Sequence, residues 1–138
     1  MAAFSTRRLR SFKRWMNSNR IQCSDALQIL DAGVDLGISV HSRCELKEGD
    51  LVATIPKQAC LTTKTTGARD VIEEAGLDGC LGLSVAIMYE RSLGDVSPWA
   101  GYLGVLPEIE CLPLVWSQDE VDSLLMGTEL HKADCEGG

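Results

Sequence analysis

Ser39, His41 and Cys44 lie close together in "GISVHSRC", and a hydroxyl, an imidazole and a thiol are the parts from which a nucleophilic site is assembled. The surrounding residues favour a strand, in which 39 and 41 share a face and 44 points the other way. A Cys44–His41 pair is therefore awkward, and His41 reads as a plain strand histidine. The six cysteines, Cys23, Cys44, Cys60, Cys80, Cys111 and Cys135, form no C-x-x-C pair. His41 and His131 are far apart, and no secretory signal peptide precedes them. That pattern argues for scattered reduced thiols packing as small hydrophobes, with no metal site. Gly37-Ile38-Ser39 lacks the following glycine of a hydrolase elbow, and neither a glycine-rich phosphate loop nor H-E-x-x-H is present. The acid pairs Glu73-Glu74 and Asp119-Glu120 read as solvated surface.

Composition narrows the partners. The chain has 138 residues, 45% hydrophobic and 24% charged, enough for one ordinary domain with one core. No apolar run approaches membrane-spanning length, so no membrane partner is expected. The net charge of −7 hides an asymmetry: Arg7, Arg8, Arg10, Lys13, Arg14 and Arg20 stand in an acid-free start, leaving a strongly acidic remainder. Such a body argues against nucleic acid as a partner. The start, "MAAFSTRRLRSF", has the composition of an organelle transit peptide. Leu9, Phe12, Trp15 and Met16 also fall at helical spacing, and we favour an amphipathic first helix docking on the core. A cytoplasmic or nuclear location follows from that helix; an organelle follows from the transit reading.

These residues must be positioned by short elements. The opening helix is expected to end around Asn17–Asn19, and a second short helix, capped by Ser24 or Asp25, to run through "ALQILDAG" and stop at Gly33. Residues 38–55 favour strands broken by "KEGD", and "ACLTT" reads as a third short strand after Pro56. Beyond it the pattern is helical. Residues 68–75 form one helix, and Leu81–Arg91 is apolar around most of its circumference, as a buried helix would be. "SPWAGYLGVLP" offers Ser97 as N-cap and Pro98 at the first helical position, with Trp99, Tyr102, Leu103 and Leu106 on one side. In "WSQDEVDSLL", Ser117 and Glu120 make a capping box, Trp116 and Val121 stand at staple positions, and a helix spans about Gln118 to Leu125 before Gly127.

Four segments occur in a characteristic order: Phe12-x-x-Trp15, "GISVHSRCELKEGDLVATIPKQACLTT", "LSVAIMYERSLGDVSPWAGYLGVLP" and "PLVWSQDEVDSLLMGTEL". Together, from Phe12 to about His131, they resemble the front half of the SET-domain lysine methyltransferases of the Rubisco large-subunit methyltransferase group. The resemblance implies an α+β fold: the short strands of the N-terminal part of a SET domain, followed by the start of a helical insert. It divides the chain into a basic N-terminal helix (1–21), SET strands (22–64), the helical insert region (65–130) and a divergent tail (131–138).

It also implies S-adenosylmethionine as cofactor. The family's donor motif, an acid, Gly, an apolar residue and Gly on the opening strand, falls on Leu36, Gly37, Ile38 and Ser39. Glycine allows main chain to approach the donor because it has no Cβ. Leu36 replaces the acid, which removes a charge-assisted hydrogen bond, and Ser39 replaces the second glycine. Leu36, Gly37 and Ile38 are the expected cofactor-binding residues; Gly37 also fits the plain role of a strand-opening or bulge glycine. Trp99, Tyr102, Leu106, Pro107, Pro113 and Trp116 match packing positions of the insert and read as core, not as an aromatic cage.

The family's later Asn-His-Ser-type segment and channel tyrosine have no counterpart after Thr128, and no catalytic residue is assigned. The tail from Ala133 is of the kind that splicing, a frameshift or a gene-model error leaves. The expected function is protein-lysine N-methylation on a lysine-bearing protein substrate, in a form lacking the catalytic C-terminal half. The alternative is a non-catalytic interaction module.

Overall fold

The computed structural model describes residues 6–33, 37–108, 110 and 112–129. Among these, helix α1 (Arg7–Ser18) precedes strands β1 (Gln22–Cys23), β2 (Leu27–Asp31), β3 (Ile38–Ser42) and β4 (Ala53–Thr54). Helices α2 (Arg69–Glu74), α3 (Gly79–Ser92), α4 (Ala100–Leu103) and α5 (Gln118–Leu125) follow. The mixture of helices and short strands is α+β, as expected. The chain forms two compact units, one reaching to Leu106 and one beginning at Pro107.

Helix α1 starts because the Thr6 hydroxyl accepts the Leu9 N–H at 3.3 Å, satisfying a donor that no earlier turn can reach. Its apolar side buries Leu9 and stacks Trp15 between Phe12 and Tyr102 of α4, with Phe12 and Tyr102 tilted to each other. Trp15 Nε1 donates to Pro98 O at 2.7 Å. The expected docking helix is therefore present, and it ends at Ser18 with Asn19 as C-cap.

The helix expected over "ALQILDAG" is not formed. Leu27–Asp31 is strand β2, antiparallel to β3, with Gln28 opposite His41 and Asp31 opposite Ile38. Ser24 caps a turn instead: its hydroxyl accepts the Ala26 N–H and its carbonyl the Leu27 N–H. Leu27, Ile29 and Asp31 alternate with Gln28 and Leu30, a period of two that pairing with β3 selects over helix propensity. Strand content farther on is shorter than expected. β3 stops at Ser42, and β4 pairs with β1, although the "KEGD" turn forms with Gly49 at φ +93° and Lys47 N–H on Asp50.

"ACLTT" forms no strand. Lys57–Ala59 is a 3₁₀ turn, and Thr65 Oγ1 takes the Thr62 N–H and donates to Cys60 O. Threonine side chains thus satisfy the backbone groups that a ladder would have used. The later helices match the sequence more closely, with two exceptions. Helix α4 begins at Ala100, because the Ser97 hydroxyl accepts the Trp99 N–H in a local turn ahead of the helix. Helix α3 is not buried all round: Leu81 and Met88 are 61% and 70% exposed, while Gly82, Ala86 and Glu90 face inward. The described cysteines, Cys23, Cys44, Cys60 and Cys80, are exposed and free, so they do not serve as core packing. Cys111 and Cys135 lie outside the described residues.

The core of the first unit joins α2 to α3 through Ala68, Ile72 and Ala86, with Leu61, Leu77 and Val85 against them. Trp99 is buried and its Nε1 donates to Ala59 O at 3.0 Å, tying the 3₁₀ turn to α4. In the second unit, α5 carries the expected capping box, with Ser117 and Glu120 each serving the other's backbone.

Candidate functional site

Gly37 and Ile38, two of the residues expected to bind the donor, lie where β3 begins. Leu36 lies outside the described residues. Gly37 opens β3 with φ +67°, a left-handed conformation that a side chain disfavours, and among the described residues, its chain neighbours aside, no atom stands within 4 Å of where a Cβ would be. Its N–H donates to Gly33 O at 2.8 Å, and its carbonyl accepts the Ala32 N–H at 2.9 Å.

That last bond fixes the phase of the ladder. In an antiparallel pair, a bond from Ala32 to Gly37 makes Asp31–Ile38 a pair whose own N–H and C=O groups point away from each other. Among the described residues β3 pairs with β2 alone. The main-chain groups of Ile38 and Val40 therefore face an open sheet edge, beside a glycine that leaves space. Ser39 and His41 point to the other face, where Ser39 Oγ and His41 Nε2 stand 3.0 Å apart.

Across from Ile38, Asp31 is the most heavily bonded group of the region, with its side chain 1% exposed. Arg8 Nε donates to Oδ2 at 2.7 Å and Arg8 Nη2 to Oδ1. The Thr6 hydroxyl reaches Oδ2, and the Gly33 N–H reaches Oδ1 at 3.0 Å. The Arg8 guanidinium, and then the Thr6 hydroxyl, hold the Asp31 carboxyl far below the ordinary aspartate range; burial opposes them and the Gly33 N–H assists. Sequence reasoning missed this group, having placed it in a helix. The sequence offers no clear alternation there, since Leu30 is apolar and Asp31 charged.

The apolar face of the hairpin opens into a groove of about 460 Å³ lined by Phe12, Trp15, Ile29, Val40, Ile55 and Tyr102 among others. Along its wall the Phe12 and Trp15 rings are stacked with centroids 6.0 Å apart, as are those of Trp15 and Tyr102 at 5.8 Å. Among the described residues no group of three metal-ligating side chains occurs, and no helix is long and apolar enough to cross a membrane.

The chain is 31% identical over 132 residues to the N-lysine methyltransferase setd6 of Danio rerio, a match covering 91% of this chain and 28% of the relative. The N-lysine methyltransferase setd6 of Salmo salar is 33% identical over 132 residues, 91% of this chain and 29% of the relative. The human SET domain-containing protein 4 is 27% identical over 127 residues, 88% of this chain and 28% of that protein. No protein-family model matches. The fold is like that in the structure of Rubisco LSMT bound to sinefungin and monomethyllysine, with a TM-score of 0.74 at 19% identity, covering 95% of this chain and 30% of that one.

An α+β hairpin-and-helix arrangement of this kind is thus part of a SET-type methyltransferase fold. The chain is related along nearly all of its length to the SET-domain protein-lysine methyltransferases, as the order of its segments implies, and it spans between a quarter and a third of the length of the curated relatives it matches.

Proposed function

We propose that this chain is the donor-strand portion of an S-adenosylmethionine-dependent protein-lysine N-methyltransferase, with Leu36, Gly37 and Ile38 along the donor. The observation that carries this reading is the edge of β3, open among the described residues, where the main-chain N–H and C=O of Ile38 face outward beside a glycine that has no obstructing atom of a described, non-neighbouring residue within 4 Å. A nucleoside-containing cation can approach main chain closely there and be met by hydrogen bonds that need no side chain. Sinefungin, held by the structural neighbour, is an analogue of that donor.

When bound, S-adenosylmethionine would supply an electrophilic sulfonium methyl to a neutral lysine amine, with S-adenosylhomocysteine as the leaving group and the amine's proton passing to water. This chain's own contribution is to orient. Gly37 sets the direction in which β3 enters, Ile38 offers polar main chain, and the register with β2 holds both. The relatives are named as N-lysine methyltransferases, so the acceptor proposed is a lysine on a protein substrate.

Calorimetric titration of S-adenosylmethionine into the purified chain tests the reading, with Gly37→Trp as the blocked variant and circular dichroism as the check that it folds. Saturable binding by the parent, lost in the folded variant, is the expected outcome. A folded parent that takes up no donor would overturn it and leave a non-catalytic interaction module as the better description.

A further inference from the structure

We infer that Arg8 and Asp31 are the positioning pair of the donor strand, through which the first turn of α1 sets where Gly37 and Ile38 stand; this rests on the donor role proposed for those two residues. Asp31 faces Ile38 directly across the ladder, in the pair type whose side chains approach most closely. A continuous set of bonds then leads to Gly37. Arg8 binds Asp31 in two-point fashion and its Nη2 also donates to Gly33 O at 2.8 Å. That same carbonyl accepts the Gly37 N–H at 2.8 Å, and Asp31 itself holds the Gly33 N–H.

The pair is unlike an ordinary surface ion pair. Arg69 and Glu73 approach only to 3.9 Å with both side chains mostly exposed, the situation in which such pairs contribute little. Asp31 is enclosed, and the planar guanidinium serves three acceptor atoms on two residues at once, a geometry that a lysine ammonium cannot reproduce. Neither residue reaches the open edge of β3, since the Asp31 oxygens are occupied by Thr6, Arg8 and Gly33. The pair acts through the strand and not on the donor.

The experiment measures two things on the full chain: donor affinity by calorimetry and amide hydrogen exchange at Gly37. Asp31→Ala and the milder Arg8→Lys, which keeps the charge but loses the fork, are compared with Glu90→Gln, which loosens the fold elsewhere. The pair's loss is expected to weaken donor binding about tenfold and to speed Gly37 exchange by a similar factor. Glu90→Gln is expected to lower the melting temperature with neither effect. Unchanged affinity and exchange in folded Arg8→Lys and Asp31→Ala would overturn the positioning role. If the parent binds no donor, the donor reading fails, and Gly37 exchange alone decides whether the pair holds the strand.

Discussion

Glu90 and Asp31 are both enclosed carboxylates, and they are held in opposite ways. Asp31 has a cation, whereas the described partners of Glu90, which is 1% exposed, are all neutral donors: Thr66 Oγ1 at 2.8 Å, Gly67 N–H at 2.9 Å and Ser97 Oγ at 2.6 Å. Burial pushes the Glu90 carboxyl up, and the bonds from Ser97, Gly67 and Thr66 together outweigh it, leaving a net shift downward. Glu90→Gln puts an amide N–H₂ opposite one of these donors and is expected to cost about 1–3 kcal/mol in urea denaturation. For both acids the folded form binds its proton less readily than the unfolded chain. Their stabilisation is thus fully present above the ordinary carboxyl range near pH 4 and is lost as pH falls below it. Denaturation midpoints should therefore drop between about pH 4.5 and 2, and the drop should be shallower in Asp31→Asn. Neither anchor was legible at residue level. Glu90 sits in "MYERS" like any helix-surface acid, and its partners lie 7 to 24 positions away in sequence.

The elements whose termini carry their own chemistry could be read directly. Ser117 and Glu120 announce α5 within four residues, and the spacing of Leu9, Phe12, Trp15 and Met16 announces α1; the Thr6 cap was not read. β2 could not be read so easily, because a five-residue strand is decided by its partner, and the turn residues Gly33 and Gly37 serve a helix stop and a hairpin equally well. The contact between α1 and α4 was invisible for a related reason: it depends on an absent side chain. A Cβ on Gly101 would overlap Trp15 Cβ and come within 2.8 Å of Trp15 Cγ, with Trp15 fixed by Pro98 and its ring neighbours. Gly101→Ala gains helix propensity but forces the two helices apart. A net loss of about 1–3 kcal/mol is expected, readable as a lower melting temperature and a shift in tryptophan fluorescence.

For the molecule as a whole, the open edge of β3 and the apolar groove beside it lie on the same unit. Val40, on the groove side of β3, is 60% exposed, and unpaired edges with apolar flanks favour association. The chain is expected to bind an apolar dye and to scatter light increasingly with concentration. Val40→Lys should reduce both while leaving the melting temperature nearly unchanged. Fold class and relatedness were legible here because they rest on the order of four segments over most of the chain. The Arg8–Asp31 pair was not, because it joins residues 23 apart.

That separation, and the longer one between Trp15 and Pro98, bear on how the chain is made. Trp15 precedes its hydrogen-bond partner by 83 positions. At roughly 5–20 residues per second of synthesis, the helix leaves the ribosome about 4–17 seconds before the surface that will cover it. Throughout that interval a basic helix displays Phe12, Trp15 and Met16 to whatever binds nascent chains. A chaperone that recognises basic amphipathic segments would find the apolar side of α1 uncovered until α4 had emerged.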